Sequence, residues 1–362
     1  MSAETRPGMG ASLDIEPGAG TRIDTIDMHT GGEPVRIVTG GYPAIPGRTI
    51  LEKRRFARDH LDAFRRLIMF EPRGHADMYG VLPVAPDLAD ADMAVLFIHN
   101  EGYSTMCGHA TIALGRYALD QGLIRPGADG MARLNLQCPC GLVEVRVAAT
   151  GAERGRVSFL SVPAFAFARD RRIGIPGHGE VTLDIGYGGA YYAILPAAAF
   201  GLDVRHAPRA ALVAAASAVT QAARAQIPLH HPDDSDLAFL YGTILTDGGD
   251  GADPPDGAGP SANICVFATN EVDRSPTGSG VTARLALMAA RGWIKSDEIK
   301  SGAWRHFESI TGSIFAGRVA ARLTAGDFPA IRAEISGRAY YTGRASFTLE
   351  ADDPLAAGFL LR

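Results

Sequence analysis

The sequence has 362 residues, 46% hydrophobic and 21% charged, with 35 basic and 40 acidic side chains for a formal net charge of −5. That is the balance of a globular chain of about two domains, and it excludes a basic nucleic-acid binder and a long acidic tail. No apolar run reaches the roughly 18 residues of a membrane span, and no secretory signal is visible.

Four cysteines, at 107, 138, 140 and 265, are too few for a disulfide scaffold, so a reducing, cytoplasmic setting is expected. Residues 1–20 read as a floppy polar leader. The first strand is predicted over Thr21–Met28, with Ile23 and Ile26 alternating. The polar stretch Asp27-Met-His-Thr-Gly-Gly-Glu-Pro34 reads as a turn, followed by a strand over Val35–Thr39. Residues Ile50–Met69 place Leu51, Phe56, His60, Leu61, Phe64, Leu67 and Ile68 on one stripe and predict a single amphipathic helix. Short Val/Ile/Phe runs predict strands at Ala94–Ile98, Leu134–Gln137, Leu142–Val147, Arg156–Val162, Ala190–Leu195, Leu237–Leu245 and Ala262–Phe267. A second helix is predicted over Pro208–Gln226. Thr246–Ser261, almost all Gly, Asp, Pro and Ala, reads as a mobile surface loop. The order is α+β rather than strict βαβ alternation.

An internal echo carries the most information. Laid without gaps, Cys107–Ile124 matches Thr277–Ile294 at a constant offset of 170 residues. Gly108 meets Gly278, Ala113 meets Ala283, Gly122 meets Gly292 and Ile124 meets Ile294. Each copy runs from an apolar strand through a polar turn and small residues into a helix that ends on glycine. The chain therefore reads as two halves of similar fold, each presenting one helix N-terminus.

A helix start carries unpaired N–H groups and roughly half a positive charge. It lowers a thiol pKa from about 8.5 and offers a seat for a carboxylate. Cys107 and Thr277 occupy the two starts. The thiolate is a competent base; the threonine hydroxyl is not, having no titration near neutrality. His109, two residues on, fits three roles equally: orienting a carboxylate, tuning the thiol or capping the helix.

Four motifs resemble those of one family. Thr105-Met-Cys-Gly-His109 and Asp273-Arg-Ser-Pro-Thr-Gly-Ser-Gly280 are similar to the signature motifs of the proline racemase family, which includes proline racemases, 4-hydroxyproline 2-epimerases and trans-3-hydroxy-L-proline dehydratases. Asp27–Pro34 resembles its opening motif, and Pro72-Arg-Gly-His-Ala-Asp-Met-Tyr-Gly80 the next. The resemblance spans residues 22–360. It implies a diaminopimelate-epimerase-like fold of two pseudo-symmetric lobes, each wrapping a sheet around a central helix, with no cofactor and no metal. Lobe 1 would comprise 21–157 and 340–362, and lobe 2 residues 158–339. In the racemases and epimerases two cysteines flank the substrate Cα. Here the first is Cys107 and the second is replaced by Thr277, which within the family marks the dehydratase of trans-3-hydroxy-L-proline. The resemblance further assigns Gly108, His109, Gly278 and Ser279 to the substrate carboxylate, Asp273 to the ring nitrogen, and Tyr79 and Phe267 to aromatic walls. Ser279 departs mildly from the threonine of many members but keeps a hydroxyl. The family often forms homodimers.

Dehydration needs one base at Cα and a leaving hydroxyl on the neighbouring carbon, whereas epimerisation needs a donor opposite the base. The single thiol therefore favours loss of the 3-hydroxyl, with Thr277 a candidate to assist, giving Δ1-pyrroline-2-carboxylate after tautomerisation. The alternatives are a proline or hydroxyproline 2-epimerase and a non-catalytic protein that binds a proline-type amino acid. Cys138 and Cys140 read as strand thiols, Cys265 as core, His29 and Glu33 as supports of the pocket, and His230-His231 as a surface pair.

Overall fold

The computed structural model describes residues 14–251 and 259–361. The chain opens with a hairpin of Arg22–Thr30 on Glu33–Gly40, closed by Gly31 and Gly32 at φ 62° and 89°. Left-handed backbone at both turn positions matches the twist of the flanking strands and is open to glycine at little cost. The turn expected over Asp27–Pro34 thus shrinks to two residues.

The helix predicted over Ile50–Met69 is two helices, α1 (Ile50–His60) and α2 (Asp62–Met69). Leu61 breaks the run at φ −127°, ψ 14°, with its side chain fully buried. The break lets Asp62 hold Arg65 at 2.6 Å, and Arg65 in turn donates to the buried carbonyls of His99 and Asn100. Periodicity records the apolar stripe but not this demand from a neighbouring loop. The leader is docked where it is described: Ile15 N–H bonds the His60 carbonyl and Gly20 N–H that of Leu349. Residues 1–13 lie outside the described part.

The remaining helices are α3 (Gly108–Asp120), α4 (Arg209–Gln226), α5 (Gly278–Ala290) and the short α6 (Ser296–Ser301). Among the described residues the strands form one continuous hydrogen-bonded system. Its spine is the strand Phe328–Thr348. Its early residues pair with Ile314–Ala325 and Ala164–Ile175, its middle with Arg156–Leu160, and its end with Arg22–Thr30. The spine was not predicted, because its burial changes face as it passes from one set of neighbours to the next. The hairpin Ala164–Ile175 with Gly179–Tyr187 is also absent from the sequence reading: the middle of its first strand, residues 169–172, is charged and exposed, which interrupts the alternation, while Ile173, Ile175, Val181 and Leu183 are buried toward the turn.

The spine packs against both central helices. α3 lies among Arg22–Thr30, Met131–Cys138, Gly141–Ala148 and Arg156–Leu160; α5 lies among Ala164–Ile175, Gly179–Tyr187 and Ile314–Ala325. The internal echo is physical. Both helices have 13 residues at the same offset. Both end in a Schellman motif, with Gly122 and Gly292 at φ 71° and 73° and the bonds Leu123 N–H to Ala118 and Trp293 N–H to Met288. Gly278–Ala289 is wholly buried, as an all-round apolar helix should be. Its one charge, Arg284, is satisfied by Asp250 at 2.9 Å and Asn263 at 2.7 Å, and lies over the Phe307 ring. Through Asp250 that arginine tethers the near end of the loop expected over Thr246–Ser261; residues 252–258 of it lie outside the described part. No helix among the described residues is long and apolar enough to cross a membrane.

Candidate active site

α3 and α5 meet head to head. A Cβ built on Gly108 would lie 2.4 Å from the Cα of Gly278, so only glycine permits this approach. Two positive helix ends brought together oppose each other until an anion lies between them.

The caps differ. Cys107 has extended backbone, φ −146°, and its sulfur accepts from Ala110 N–H at 3.3 Å. Thr277 stands at φ 66° and makes no side-chain cap. For a β-branched residue that is a strained conformation, costing about 1–3 kcal/mol. The surrounding turn enforces it. Asp273 accepts from Ser275 N–H at 2.8 Å, Ser275 Oγ accepts from Thr277 N–H at 3.1 Å, and the Thr277 carbonyl starts α5 by accepting from Val281.

One small cavity, with room for about one water, lies between the helix starts. Cys107, Gly108 and His109 line it from one side; Thr277, Gly278 and Ser279 from the other; Tyr79, Phe267 and Asp273 complete the predicted set. Met106 of the first signature motif joins them, as do three residues unmarked by any motif, Tyr192, Tyr241 and Cys265. Tyr192 shares a 2.7 Å hydrogen bond with Ser279 Oγ, and Tyr241 stacks on Phe267 at 5.1 Å. Their only signal in the sequence is an aromatic in a buried strand. Cys265 is core, as expected, but its thiol also reaches the site beside Thr277 and Asp273.

Electrostatics correct one expectation. The helix start was expected to lower the Cys107 pKa. Instead burial raises it well above the usual thiol value, outweighing the Ala110 N–H and the Tyr79 hydroxyl, which both pull it down. His109 stands 3.2 Å from the sulfur through Nδ1. Burial depresses its pKa to about 3, against the opposing pull of the Pro34 backbone, so it is a neutral imidazole. Burial lifts Asp273 to about 6, against the pull of the Ser275 and Thr277 hydroxyls. Glu33 is wholly buried outside the cavity and raised well above its normal value, chiefly by desolvation and then by Asp273. It accepts from Arg274 N–H at 2.7 Å and so fixes the turn that carries Asp273 and Thr277. His29 stacks on Tyr340, away from the cavity. The Cys138–Cys140 turn buttresses the Cys107 segment, with Cys140 N–H bonded to the Thr105 carbonyl at 3.1 Å. His230 and His231 are not a plain surface pair. They edge an aromatic cluster, His231 against Tyr187 at 4.7 Å and His230 against Phe167 at 5.0 Å.

The profile of the family described as Proline racemase matches residues 25–360. The chain belongs to the proline racemase family. Two relatives extend the match over nearly the whole length. The trans-L-3-hydroxyproline dehydratase of Xenopus tropicalis is 53% identical over 351 residues, 96% of this chain and 98% of that protein. The trans-3-hydroxy-L-proline dehydratase of Homo sapiens is 54% identical over 343 residues, 94% of this chain and 95% of that protein. Among solved structures, a hydroxyproline epimerase from Agrobacterium vitis with bound trans-4-hydroxy-L-proline superposes with a TM-score of 0.85 at 26% identity, covering 94% of this chain and 95% of that one. The α+β chain therefore has the strand-rich fold of this family's hydroxyproline enzymes.

Proposed function

We infer that the chain is a trans-3-hydroxy-L-proline dehydratase, a hydro-lyase. The observation that carries this is the unequal pair at the helix starts: one face of the cavity offers a thiol, the other a threonine. The high identity to relatives named for this activity supports it.

In this reading the substrate carboxylate sits between the two helix starts, against the backbone N–H groups of Gly108, His109, Gly278 and Ser279. Asp273 receives the ring ammonium. Tyr79 and Phe267, with Tyr192 and Tyr241, wall the ring. Cys107 takes the Cα proton. The ring ammonium supplies the positive charge that the buried thiol lacks when the site is empty, so the base is made on binding. Charge spreading onto the carboxylate is stabilised by N–H groups already aimed at it. The 3-hydroxyl leaves as water, and the enamine tautomerises to Δ1-pyrroline-2-carboxylate.

The two halves are in this reading the pseudo-symmetric lobes of a diaminopimelate-epimerase-like fold, 21–157 with 340–362, and 158–339. The matching lengths and ends of α3 and α5 support it. A cytoplasmic setting fits four cysteines that are all free thiols. The cavity has room for about one water, and in this reading the two lobes part to admit the substrate. Arg274 is placed to hold them shut, bridging to Glu33 at 3.4 Å and to Asp77 at 3.7 Å.

A panel of proline and the hydroxyproline isomers, with products identified by mass, tests the assignment. Loss of one water from trans-3-hydroxy-L-proline is the expected outcome. Isomerisation at unchanged mass on any member, without water loss, would make the enzyme an epimerase.

A further inference from the structure

The stereochemistry of the substrate, taken with the dehydratase reading on which this inference rests, locates a group that the reaction still lacks. In trans-3-hydroxy-L-proline the carboxylate and the 3-hydroxyl lie on opposite faces of the ring. The Cα hydrogen and the hydroxyl therefore share a face. If Cys107 takes that hydrogen, whatever protonates the departing oxygen also stands on the Cys107 side. Thr277 faces the other way, which removes it as the acid.

We propose that the Tyr79 phenol is the general acid that protonates the 3-hydroxyl, in a syn elimination with Cys107 as the base. Tyr79 is buried at the first position of the strand Tyr79–Val84 and lines the cavity. Its hydroxyl hydrogen-bonds Ser104 Oγ, and it lies near enough to the Cys107 sulfur and the Tyr241 hydroxyl, both on the same cavity, to interact electrostatically with each. Its ring is held by His99, stacked at 5.8 Å, and by His109, edge-on at 4.7 Å. His99 is itself fixed by Glu271 at 3.0 Å. The acid is thus placed against the base by rigid neighbours rather than by a loop.

Other groups on this face fit less well. Burial depresses His109 to about 3, so its imidazole is neutral and carries no second proton to give. Ser104 lies behind Tyr79 and does not line the cavity, and Tyr241 reaches the phenol rather than the sulfur. Burial raises the Tyr79 phenol well above its usual value, against the pull of both hydroxyls, so a phenolate formed there takes its proton back readily.

The proton count closes without a co-reactant. The Cys107 thiolate takes the Cα proton, and the electron pair of that C–H bond becomes the C2=C3 bond. The C3–O bond breaks with its pair on oxygen, which takes the Tyr79 proton and leaves as water. The phenolate then recovers a proton from the adjacent Cys107 thiol, and both groups return to their starting forms.

Tyr79→Phe keeps the aromatic wall and removes only the hydroxyl. Loss of water from trans-3-hydroxy-L-proline should fall by about 10²–10⁴-fold, the range of general acid catalysis. Exchange of the Cα hydrogen with D2O should persist, so the ratio of exchange to elimination rises. Chloride needs no proton to leave, so elimination from trans-3-chloro-L-proline should stay within about tenfold of wild type. Equal loss with the hydroxyl and the chloride substrates would reduce Tyr79 to a wall and overturn the proposal. Unchanged dehydration by the variant would also overturn it, and would make the Cys107 thiol its own acid. Failure of the wild-type enzyme to dehydrate the compound would instead overturn the underlying assignment of the reaction.

Discussion

Cys107→Ser is expected to lower turnover of trans-3-hydroxy-L-proline by roughly 10³-fold or more while ligand affinity changes only a few-fold. Serine fits the space, and it is itself a strong N-cap, so the bond from Ala110 N–H to the first residue of the turn survives and α3 keeps its start. What disappears is an atom that can ionise at all in this environment. Burial already holds the thiol well above its usual value, and an alcohol would be far out of reach. Pyrroline formation read with o-aminobenzaldehyde, together with calorimetric titration of the substrate, separates the two effects. A non-catalytic binding protein would show unchanged affinity and no wild-type turnover to lose.

Asp273→Asn should make the protein more stable and much less active. The carboxyl group is wholly buried and lifted from 3.8 to about 6, with desolvation the largest cause. The sign follows from linkage. Below about pH 4 folded and unfolded chains both hold the proton, and nothing is lost. Between about 4 and 6 the unfolded chain ionises first, so stability falls as pH rises. Above 6 the folded protein carries the full penalty, about 3 kcal/mol. The amide removes that penalty and can still accept from Ser275 N–H through its oxygen. Thermal melts at neutral pH should therefore rise by several degrees, and the loss of stability between about pH 4 and 6 should flatten. The same change removes the proposed partner of the ring ammonium, and kcat/KM should drop by about 10²–10³-fold. A variant that melts lower at neutral pH would show that the carboxylate is stabilised in the empty site rather than held there for a cation. The two readouts move in opposite directions, as expected of a charge kept buried for function.

The legible part of this protein was its local grammar. The echo between Cys107–Ile124 and Thr277–Ile294 located both central helices, because a helix start, small residues and a terminal glycine recur at one spacing. The motifs named Tyr79, Cys107, Gly108, His109, Asp273, Thr277, Gly278 and Ser279, which border one cavity, and Glu33, which braces it, whereas His29 lies away from it. What stayed hidden depends on tertiary surroundings. Leu61 ends a helix only because the loop at His99 and Asn100 needs the Arg65 donor. The strand Phe328–Thr348 exchanges partners along its length, which erases any single alternation. Tyr192 and Tyr241 come from strands with no motif of their own. The acidity of Cys107 departs from the helix-start expectation for a related reason: a helix start is visible in a sequence, whereas the burial of a sulfur is not.

That correction strengthens the asymmetry at the centre of the account. Both sides of the cavity are buried, and both begin a helix, yet only one of the two helices starts on a thiol. Cys265 lines the cavity beside Thr277 with its own pKa pushed well up by burial, so a protonated thiol is present on the far side. Whether the far face can hand a proton to Cα is therefore the sharpest question to put to the enzyme.

The direct measurement is turnover of trans-3-hydroxy-L-proline in D2O by the wild-type enzyme and by Thr277→Cys in parallel, with product and recovered substrate resolved by mass and chiral chromatography. The account predicts that the wild type yields Δ1-pyrroline-2-carboxylate and returns unreacted substrate only in the L configuration, while Thr277→Cys also returns Cα-deuterated substrate of inverted configuration. Inverted, deuterated substrate from the wild type, or none from the variant, would contradict it.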